Sequence, residues 1–244
     1  MKPIRMIIFD KDGTLMDFDA FWVTVSRLAV PAMLKKLGAD AALAETLYDA
    51  LGITGDTTKI DGVLCWGTYD QMGGVMHDAL QAAGVNCDRE EVMRMTKDLY
   101  HQYAEEGSIQ PACEDLAGVL GCHIRQGRSL ALVTTDGPQM TRKCLLDLNI
   151  GHYFNAVCTD NGVLPPKPDP MCIDLICEQF ELTKDEIVMV GDTMTDIRFA
   201  RNGGIRVIGV AKDEDNRAVL AAEADAVAAD ITQVADIVAA WENE

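Results

Sequence analysis

The chain has 244 residues, a length that can bury a substantial core and that lies between one large domain and two small ones. Hydrophobic residues make up 48% of it and charged residues 25%, which excludes a disordered or fibrous protein. The formal net charge of -18 repels nucleic acids and anionic membrane surfaces, so we expect neither as a partner.

The first predicted element is a strand over residues 5–9, a short apolar run typical of a strand that is covered on both faces. Asp10 and Asp12 follow it directly, so two carboxylates stand at the end of a buried strand. This placement points to phosphoryl chemistry. Because short motifs also arise by chance, we weigh this pair only together with the later strand ends. Two further D-x-D pairs occur in the chain, Asp17/Asp19 and Asp213/Asp215.

Residues 17–106 have a helical pattern, and we predict that they form a small helical bundle inserted after the first strand. Apolar residues recur at steps of three and four from Phe18 to Ala29, and Asp17 and Asp19 are predicted to cap this first helix. Glycine-containing breaks separate three more predicted helices, over 40–51, 68–83 and 89–104.

After residue 107, predicted strands and helices alternate, which is typical of a parallel sheet with crossover helices. The predicted helices cover 113–126, 138–148, 169–180, 195–202 and 231–241. The predicted strands cover 129–134, 155–159, 187–191, 205–210 and 225–227. The predicted fold class is therefore α/β: a Rossmann-like parallel sheet with helices on both faces, built from residues 1–16 and 107–244, plus the inserted α-helical domain.

Ligands of open α/β sheets bind at the carboxyl ends of the strands, and three predicted strand ends carry polar residues. The first carries Asp10 and Asp12. The predicted strand 129–134 carries Thr134 and Thr135 at its end. The predicted strand 187–191 is followed by Asp192, with Asp196 one helical turn later. A proline-rich loop, residues 165–170, contains a single lysine, Lys167, as a candidate counter-charge.

Four aspartates in one place need compensation, because two charges about 4 Å apart repel by roughly 4 kcal/mol at an effective dielectric of about 20. A divalent cation would provide it. Oxygen ligands that leave room for water and a phosphate suit Mg²⁺ better than a soft-ligand metal. We therefore predict a magnesium site among Asp10, Asp12, Asp192 and Asp196.

Each of these residues also has a simpler interpretation when taken alone. Asp192 suits a helix N-cap, Thr134 suits a strand, and Lys167 suits a solvated surface position. The four histidines share no spacing and are predicted to be structural or surface residues: His77, His101, His123 and His152. Only the joint occurrence of the strand-end residues favours a catalytic site.

Eight scattered cysteines include no C-x-x-C and no paired Cys/His spacing, which argues against zinc and thioredoxin-like sites. Free cysteines of this kind are typical of a reducing compartment. The apolar stretch near the start is too short for a signal peptide, and no segment reaches the length of a membrane span. We therefore expect a cytoplasmic location.

These motifs resemble those of the haloacid dehalogenase superfamily, in particular its phosphoglycolate-phosphatase-like branch with a helical (C1-type) cap. The resemblance spans nearly the whole chain. It rests on four motifs in order: Asp10-Lys11-Asp12-Gly13-Thr14, Thr134, Lys167 in Lys-Pro-Asp-Pro, and Gly191-Asp192-Thr193-Met194-Thr195-Asp196. The chain departs from the family pattern at Thr135-Asp136, where many relatives have Asn after the threonine, and over Met16–Trp22.

The resemblance implies a role for each carboxylate. Asp10 would be the nucleophile and a Mg²⁺ ligand, and Asp12 would be the general acid/base that also offers its main-chain carbonyl to the metal. Asp192 would complete the metal ligands of the protein. Asp196 would orient the metal site, either directly or through another residue.

The resemblance also implies how the substrate is held. Thr134 would bind the transferring phosphate through its hydroxyl, with Thr135 beside it, and Lys167 would pair with both the nucleophile and the phosphate. The helical block 17–106 would be a mobile cap that excludes water and reads the substrate.

We therefore predict a Mg²⁺-dependent phosphatase that hydrolyses a small phosphomonoester, phosphoglycolate-like or a sugar phosphate, through an aspartyl-phosphate. One alternative is a phosphomutase similar to β-phosphoglucomutase. Another is a non-enzymatic phospho-acceptor similar to a response-regulator receiver, which is much shorter and lacks both the insertion and a late Gly-Asp-x-x-x-Asp. A dehalogenase is less favoured, because Asp12 serves phosphoryl transfer. The expected partner is a small phosphorylated metabolite, and the expected assembly is a monomer or homodimer.

Overall fold

The structure is a computed structural model that describes residues 2–243. Within them the strands are β1 (Met6–Phe9), β2 (Ile53–Thr54), β3 (Thr57–Thr58), β4 (Ser129–Val133), β5 (Ala156–Cys158), β6 (Ile187–Gly191), β7 (Arg206–Val210) and β8 (Ala226–Ala228). The α-helices are α1 (Thr24–Leu37), α2 (Ala44–Leu51), α3 (Val63–Trp66), α4 (Tyr69–Ala82), α5 (Arg89–Glu106), α6 (Leu116–Arg125), α7 (Pro138–Asp147), α8 (Met171–Phe180), α9 (Met194–Gly203), α10 (Glu214–Ala221) and α11 (Val234–Glu242). A π-helical turn, Asp19–Val23, precedes α1, and 3₁₀ turns cover Ala41–Leu43, Gly151–Tyr153, Lys184–Glu186 and Ile231–Gln233.

Six strands form one sheet in the order β5-β4-β1-β6-β7-β8, and every neighbouring pair is parallel. All four residues of β1 are 0% exposed. Since alternate side chains of a strand point to opposite faces, both faces of the sheet are covered at its centre. The predicted α/β class, a Rossmann-like parallel sheet with helices on both faces, is confirmed.

The core explains why these apolar runs become strands. On one face of the sheet, Phe9, Leu132 and Val190 belong to a buried cluster that includes Leu120 of α6 and Val238 of α11. The 17 buried members of this cluster come from five strands and from the segments packed on them. Burial of this apolar surface is the main favourable contribution to folding, at about 25 cal/mol per Å².

The strands predicted for the six-stranded sheet agree with the observed ones to within one residue at either end, whereas the predicted helix 113–126 begins too early. It starts at Leu116, because the side chain of Asp115 accepts a hydrogen bond from the Gly118 amide and acts as its N-cap.

The chain divides into two compact units, Met1–Asp17 with Ile109–Glu244, and Phe18–Ser108. Within the first unit, the two segments that flank the insertion run side by side. The Asp17 amide donates to the Gln110 carbonyl at 2.9 Å, and the Ala112 amide donates to the Leu15 carbonyl at 3.0 Å. The insertion therefore leaves and re-enters the first unit through two hydrogen-bonded chain segments.

The second unit is mostly helical, and α4 and α5 pack against each other. In its interior the hydroxyl of Tyr100 donates to Ser26 Oγ at 2.7 Å. The prediction of helices alone is incomplete, because β2 and β3 form a short antiparallel hairpin. Its turn contains Gly55 with a φ of +59°, a conformation that favours glycine.

Asp19 is the first residue of the π-helical turn that opens this unit, so it does not cap that turn, whereas the predicted cap by Asp17 stays a prediction. Instead, Asp19 Oδ1 accepts hydrogen bonds from the Thr58 amide at 3.0 Å and hydroxyl at 2.6 Å. Asp17 Oδ2 accepts one from Lys212 at 3.2 Å. Both carboxylates therefore hold other segments in place.

The eight cysteines are free thiols, of which Cys144 and Cys172 are buried. His123 is fully buried, in keeping with a structural role. Among residues 2–243, no helix has the length and the apolar content that crossing a membrane requires.

Candidate active site

Three adjacent strands of the first unit end at the same edge of the sheet. In the order β4-β1-β6, Phe9 lies opposite both Leu132 and Val190, so the strand ends are level. The residues that follow are Asp10 after β1, Thr134 after β4 and Asp192 after β6. Neighbouring strands are about 4.8 Å apart, which lets side chains from these ends converge.

A cluster of three carboxylates forms at this edge. One carboxylate oxygen from each of Asp10, Asp192 and Asp196 lies within 4.8 Å of the other two. Lys167 joins the cluster: its Nζ lies 2.5 Å from Asp10 Oδ1 and 2.5 Å from Asp196 Oδ1. The lysine side chain is only 3% exposed, so the alternative of a solvated surface lysine is wrong.

The electrostatics show that one lysine does not balance three carboxylates. Burial, with the charges of Asp196 and Asp12, raises the pKa of Asp10 to about 7, although Lys167 opposes this. Burial and the charges of Asp10 and Asp196 also raise the pKa of Asp192 well above its ordinary value. Burial lowers the pKa of Lys167, but the two carboxylates in contact with it outweigh burial and raise it overall. The cluster thus favours additional positive charge.

Two glycines allow the loops to approach this closely. Gly13 has a φ of +77°, and a side chain there would overlap the carboxylate of Asp192. A side chain at Gly191 would overlap Asp196. The hydroxyl of Thr14 donates to Asp192 Oδ1 at 3.1 Å and fixes that carboxylate from the same loop.

The start of α9 holds Asp196 in place. Thr193 is the N-cap of this helix, and its hydroxyl and amide donate to Asp196 Oδ2 at 2.7 and 3.1 Å. Asp196 therefore contacts Thr193 through one oxygen and Lys167 through the other. Because Thr193 caps the helix, the simpler interpretation of Asp192 as an N-cap is wrong.

The threonines after β4 differ from each other. Thr134 is 4% exposed, and its hydroxyl accepts a hydrogen bond from the Asp136 amide at 3.1 Å. Thr135 has an exposed side chain. The predicted contacts of both residues with a phosphate stay predictions.

A second charged group, which the sequence reasoning missed, lies beside the carboxylate cluster. Lys11 is fully buried, and its Nζ lies 2.6 Å from Asp12 Oδ2 and 3.0 Å from Asp136 Oδ2. Asp12 thus contacts Lys11 through its carboxylate, whereas its predicted metal contact is through the main-chain carbonyl. The signal in the sequence was a lysine placed between two aspartates directly after a buried strand, since a buried lysine needs partners.

The donor set at this edge fits a magnesium ion. Asp10, Asp192 and Asp196 offer carboxylate oxygens, without the sulfur or imidazole ligands that favour softer metals. The excess negative charge of the cluster supports the same assignment. These residues could hold a divalent cation.

The fold and the site together define a Rossmann-like α/β protein with an acidic, lysine-containing site at the carboxyl edge of its sheet. A family model for haloacid dehalogenase-like hydrolases matches residues 4–204. The chain is 27% identical over 216 residues to the phosphoglycolate phosphatase of Salmonella typhi, a match that covers 86% of this chain and 82% of that protein.

Two solved structures share the fold. A predicted phosphoglycolate phosphatase from Haemophilus somnus gives a TM-score of 0.71 at 21% identity, covering 97% of this chain and 99% of that one. A putative β-phosphoglucomutase from Thermotoga maritima gives 0.69 at 18% identity, with the same coverage of 97% and 99%. At these identities the likeness concerns the fold alone.

The protein belongs to the haloacid dehalogenase-like hydrolase family, since the family model covers most of the chain. It is therefore a hydrolase, and the resemblance to the haloacid dehalogenase superfamily that the four motifs predicted is confirmed.

Proposed function

We propose that the protein is a Mg²⁺-dependent phosphatase that hydrolyses a small phosphomonoester through an aspartyl-phosphate. The observation that carries this proposal is the buried Asp10, held by Lys167 within a carboxylate cluster, with Asp12 on the same loop. A nucleophilic carboxylate, a cation and a second carboxylic acid are the groups that such a reaction needs.

In the first step a carboxylate oxygen of Asp10 attacks phosphorus and the bond from phosphorus to the ester oxygen breaks. The ester oxygen takes a proton from Asp12 as it leaves. In the second step a water molecule attacks the aspartyl-phosphate and gives a proton to Asp12, which releases inorganic phosphate and restores both side chains.

Lys167 orients the nucleophile through its contact with Asp10 Oδ1, and its charge also favours an incoming phosphate. Asp10, Asp192 and the main-chain carbonyl of Asp12 would hold Mg²⁺, with Asp196 supporting the site through Lys167. When bound, Mg²⁺ would neutralise phosphate charge and align the phosphoryl group for attack. Thr134 would hold the phosphate by its hydroxyl.

The substrate we propose is a small phosphorylated metabolite, either phosphoglycolate-like or a sugar phosphate. The names of the curated relatives support the first type. The chain's charge of -18 argues against nucleic acid as a partner. The role of residues 17–106 as a cap that reads the substrate, a cytoplasmic location, and a monomeric or homodimeric state remain predictions.

A phosphomutase is the second candidate, because its proposed chemistry uses the same nucleophile and acid. The fold shared with a putative β-phosphoglucomutase does not separate the two activities. Release of inorganic phosphate, measured against formation of a sugar-phosphate isomer, does separate them. Membership of a hydrolase family disfavours the receiver-like alternative.

The test of the nucleophile is the substitution Asp10→Asn, assayed with p-nitrophenyl phosphate and Mg²⁺. We expect turnover to be abolished while circular dichroism stays that of the folded protein, and Asp12→Asn should be nearly as damaging. Asp215→Asn, in an exposed D-x-D pair, is the matched control and should keep full activity. Substantial turnover by Asp10→Asn would refute the assignment.

A further inference from the structure

Lys11 is the only lysine of the first motif, and no step described above uses it. Its side chain is 0% exposed, although charged lysines are almost never fully buried without partners. Burial alone lowers the pKa of Lys11, but Asp12 and Asp136 outweigh burial and raise it above its ordinary value. The lysine therefore stays charged inside the protein because two carboxylates face it.

Lys11 contacts one of the two oxygens of the Asp12 carboxylate. Lys11 Nζ lies 2.6 Å from Asp12 Oδ2, a short charge-assisted contact, while the side chain of Asp12 is 20% exposed. A short carboxylate in a turn can adopt several orientations, and a buried ammonium fixed to one oxygen selects among them. Lys11 thus sets the direction of the group that exchanges protons in the proposed reaction.

Asp136 holds Lys11 from the other side. Its Oδ2 lies 3.0 Å from Lys11 Nζ as an ion pair, and that oxygen has no hydrogen bond of its own. The amide of Asp136 also donates to the hydroxyl of Thr134 at 3.1 Å. Asp136 therefore contacts both Lys11 and the hydroxyl of Thr134, which is predicted to bind phosphate.

We propose that Lys11, supported by Asp136, is a positioning residue that orients Asp12 for proton donation to the leaving group. The inference rests on the proposed function, because it concerns the acid of the phosphatase reaction. Because its side chain is 0% exposed, Lys11 would touch neither the phosphate nor the leaving group. The bond between phosphorus and the ester oxygen breaks, and the electron pair goes to that oxygen, which takes its proton from the Asp12 carboxyl that Lys11 holds.

A purely structural ion pair and a positioning residue differ in how they affect leaving groups. Proton donation matters most when the leaving group is a strong base, and general acid catalysis contributes roughly 10²- to 10⁴-fold. Phenyl phosphate and p-nitrophenyl phosphate have nearly the same shape, but nitrophenolate leaves readily with little help from an acid. The ratio of their kcat/KM values therefore reports on the alignment of Asp12.

The main test is Lys11→Met, a variant of similar length without the charge, assayed with both compounds and Mg²⁺. We expect kcat/KM for phenyl phosphate to fall at least about tenfold more than kcat/KM for p-nitrophenyl phosphate, because part of the acid contribution is lost. Lys184→Met, which removes a lysine from an exposed ion pair with Asp174, is the matched control and should change neither value.

Removal of Lys11 leaves Asp12 and Asp136 facing each other, so the single variant can be unstable. Asp136→Asn keeps the Lys11–Asp12 contact and should shift the same ratio in the same direction, by a smaller factor. The double variant Lys11→Met/Asp136→Asn removes one charge of each sign. The double variant should regain folding stability, but its ratio of the two kcat/KM values should not return to that of wild type.

The outcomes separate this inference from the proposed function. If wild type releases phosphate and both compounds lose the same factor in the variants, or neither loses any, Lys11 does not position Asp12. Recovery of the wild-type ratio in the double variant would also overturn the inference. Failure of wild type to hydrolyse either compound would overturn the proposed function itself, and the inference with it.

Discussion

Asp10→Asn should make the metal-free protein more stable at alkaline pH while it removes activity. Asp10 is 6% exposed, and its pKa is raised from 3.8 to about 7, first by burial and then by neighbouring carboxylates. The ionised form is therefore disfavoured in the folded protein. At roughly 1.4 kcal/mol for each pKa unit, a pKa of about 7 in place of 3.8 opposes folding by about 4 kcal/mol once both states are ionised.

The sign follows from the direction of the shift. Because the folded pKa is raised, the favourable contribution of Asp10 is complete below the unfolded value of about 4 and is lost as the pH rises through about 7. Asparagine stays neutral at every pH. The variant should therefore exceed wild type by up to about 4 kcal/mol near pH 8 and match it near pH 4.

Urea denaturation with a chelator present, at several pH values between about 4 and 8, measures this difference. Added Mg²⁺ should stabilise wild type more than Asp10→Asn and so narrow the gap. Asp215→Asn, at an exposed aspartate, should change the free energy of unfolding by about 0.5 kcal/mol or less at every pH. If Asp10→Asn is more stable than wild type by the same amount at every pH, or less stable than wild type near pH 8, the electrostatic reasoning is refuted.

Three further outcomes are expected. Lys167→Met should destabilise the metal-free protein by about 3–5 kcal/mol near pH 8, measured by urea denaturation, and by less near pH 5, where the carboxylates can take up protons. Burial, and then Arg128, lowers the pKa of His123 from 6.5 to about 4. Neutral His123 therefore stabilises the folded protein above its unfolded pKa, and roughly 3 kcal/mol of this stability is lost as the pH falls through its folded pKa. His123→Phe should remove this part of the acid sensitivity in thermal or urea unfolding. Gly13→Ala should lower both activity and melting temperature more than Gly38→Ala, because both positions have positive φ but only Gly13 faces a carboxylate; equal effects would contradict this.

The continuous apolar strands were predictable because a strand covered on both faces requires an apolar residue at every position. Residues 187–191 were predicted as a strand and are β6, whose five residues are all buried. The hairpin of β2 and β3 was not predicted, since strands of two residues are too short to show an alternation of apolar and polar residues. The π-helical turn Asp19–Val23 lies within the helical pattern predicted from Phe18 to Ala29, because apolar steps of three and four do not distinguish a π turn from an α-helix.

The site was predictable in part, because strand ends place side chains without knowledge of packing. Asp10, Asp192, Asp196 and Lys167 were predicted to meet, and the structure brings them together. The partners of Lys11 were not predicted. Asp12 is the next residue, but Asp136 follows a different strand, so two loops must approach before its contact with Lys11 exists, and nothing local in the sequence fixes such an approach.

The two hydrogen-bonded segments that flank the insertion bear on whether the inserted unit can be replaced by another module. Because Asp17 and Gln110 are joined by a hydrogen bond, the span that a replacement must bridge is short. The entropy of closing a loop depends only weakly on its length, so a brief turn or a foreign module would be tolerated at this junction. Exchange of residues 18–108 would then leave Asp10 and its neighbours on an unchanged scaffold, which makes the junction a natural graft point.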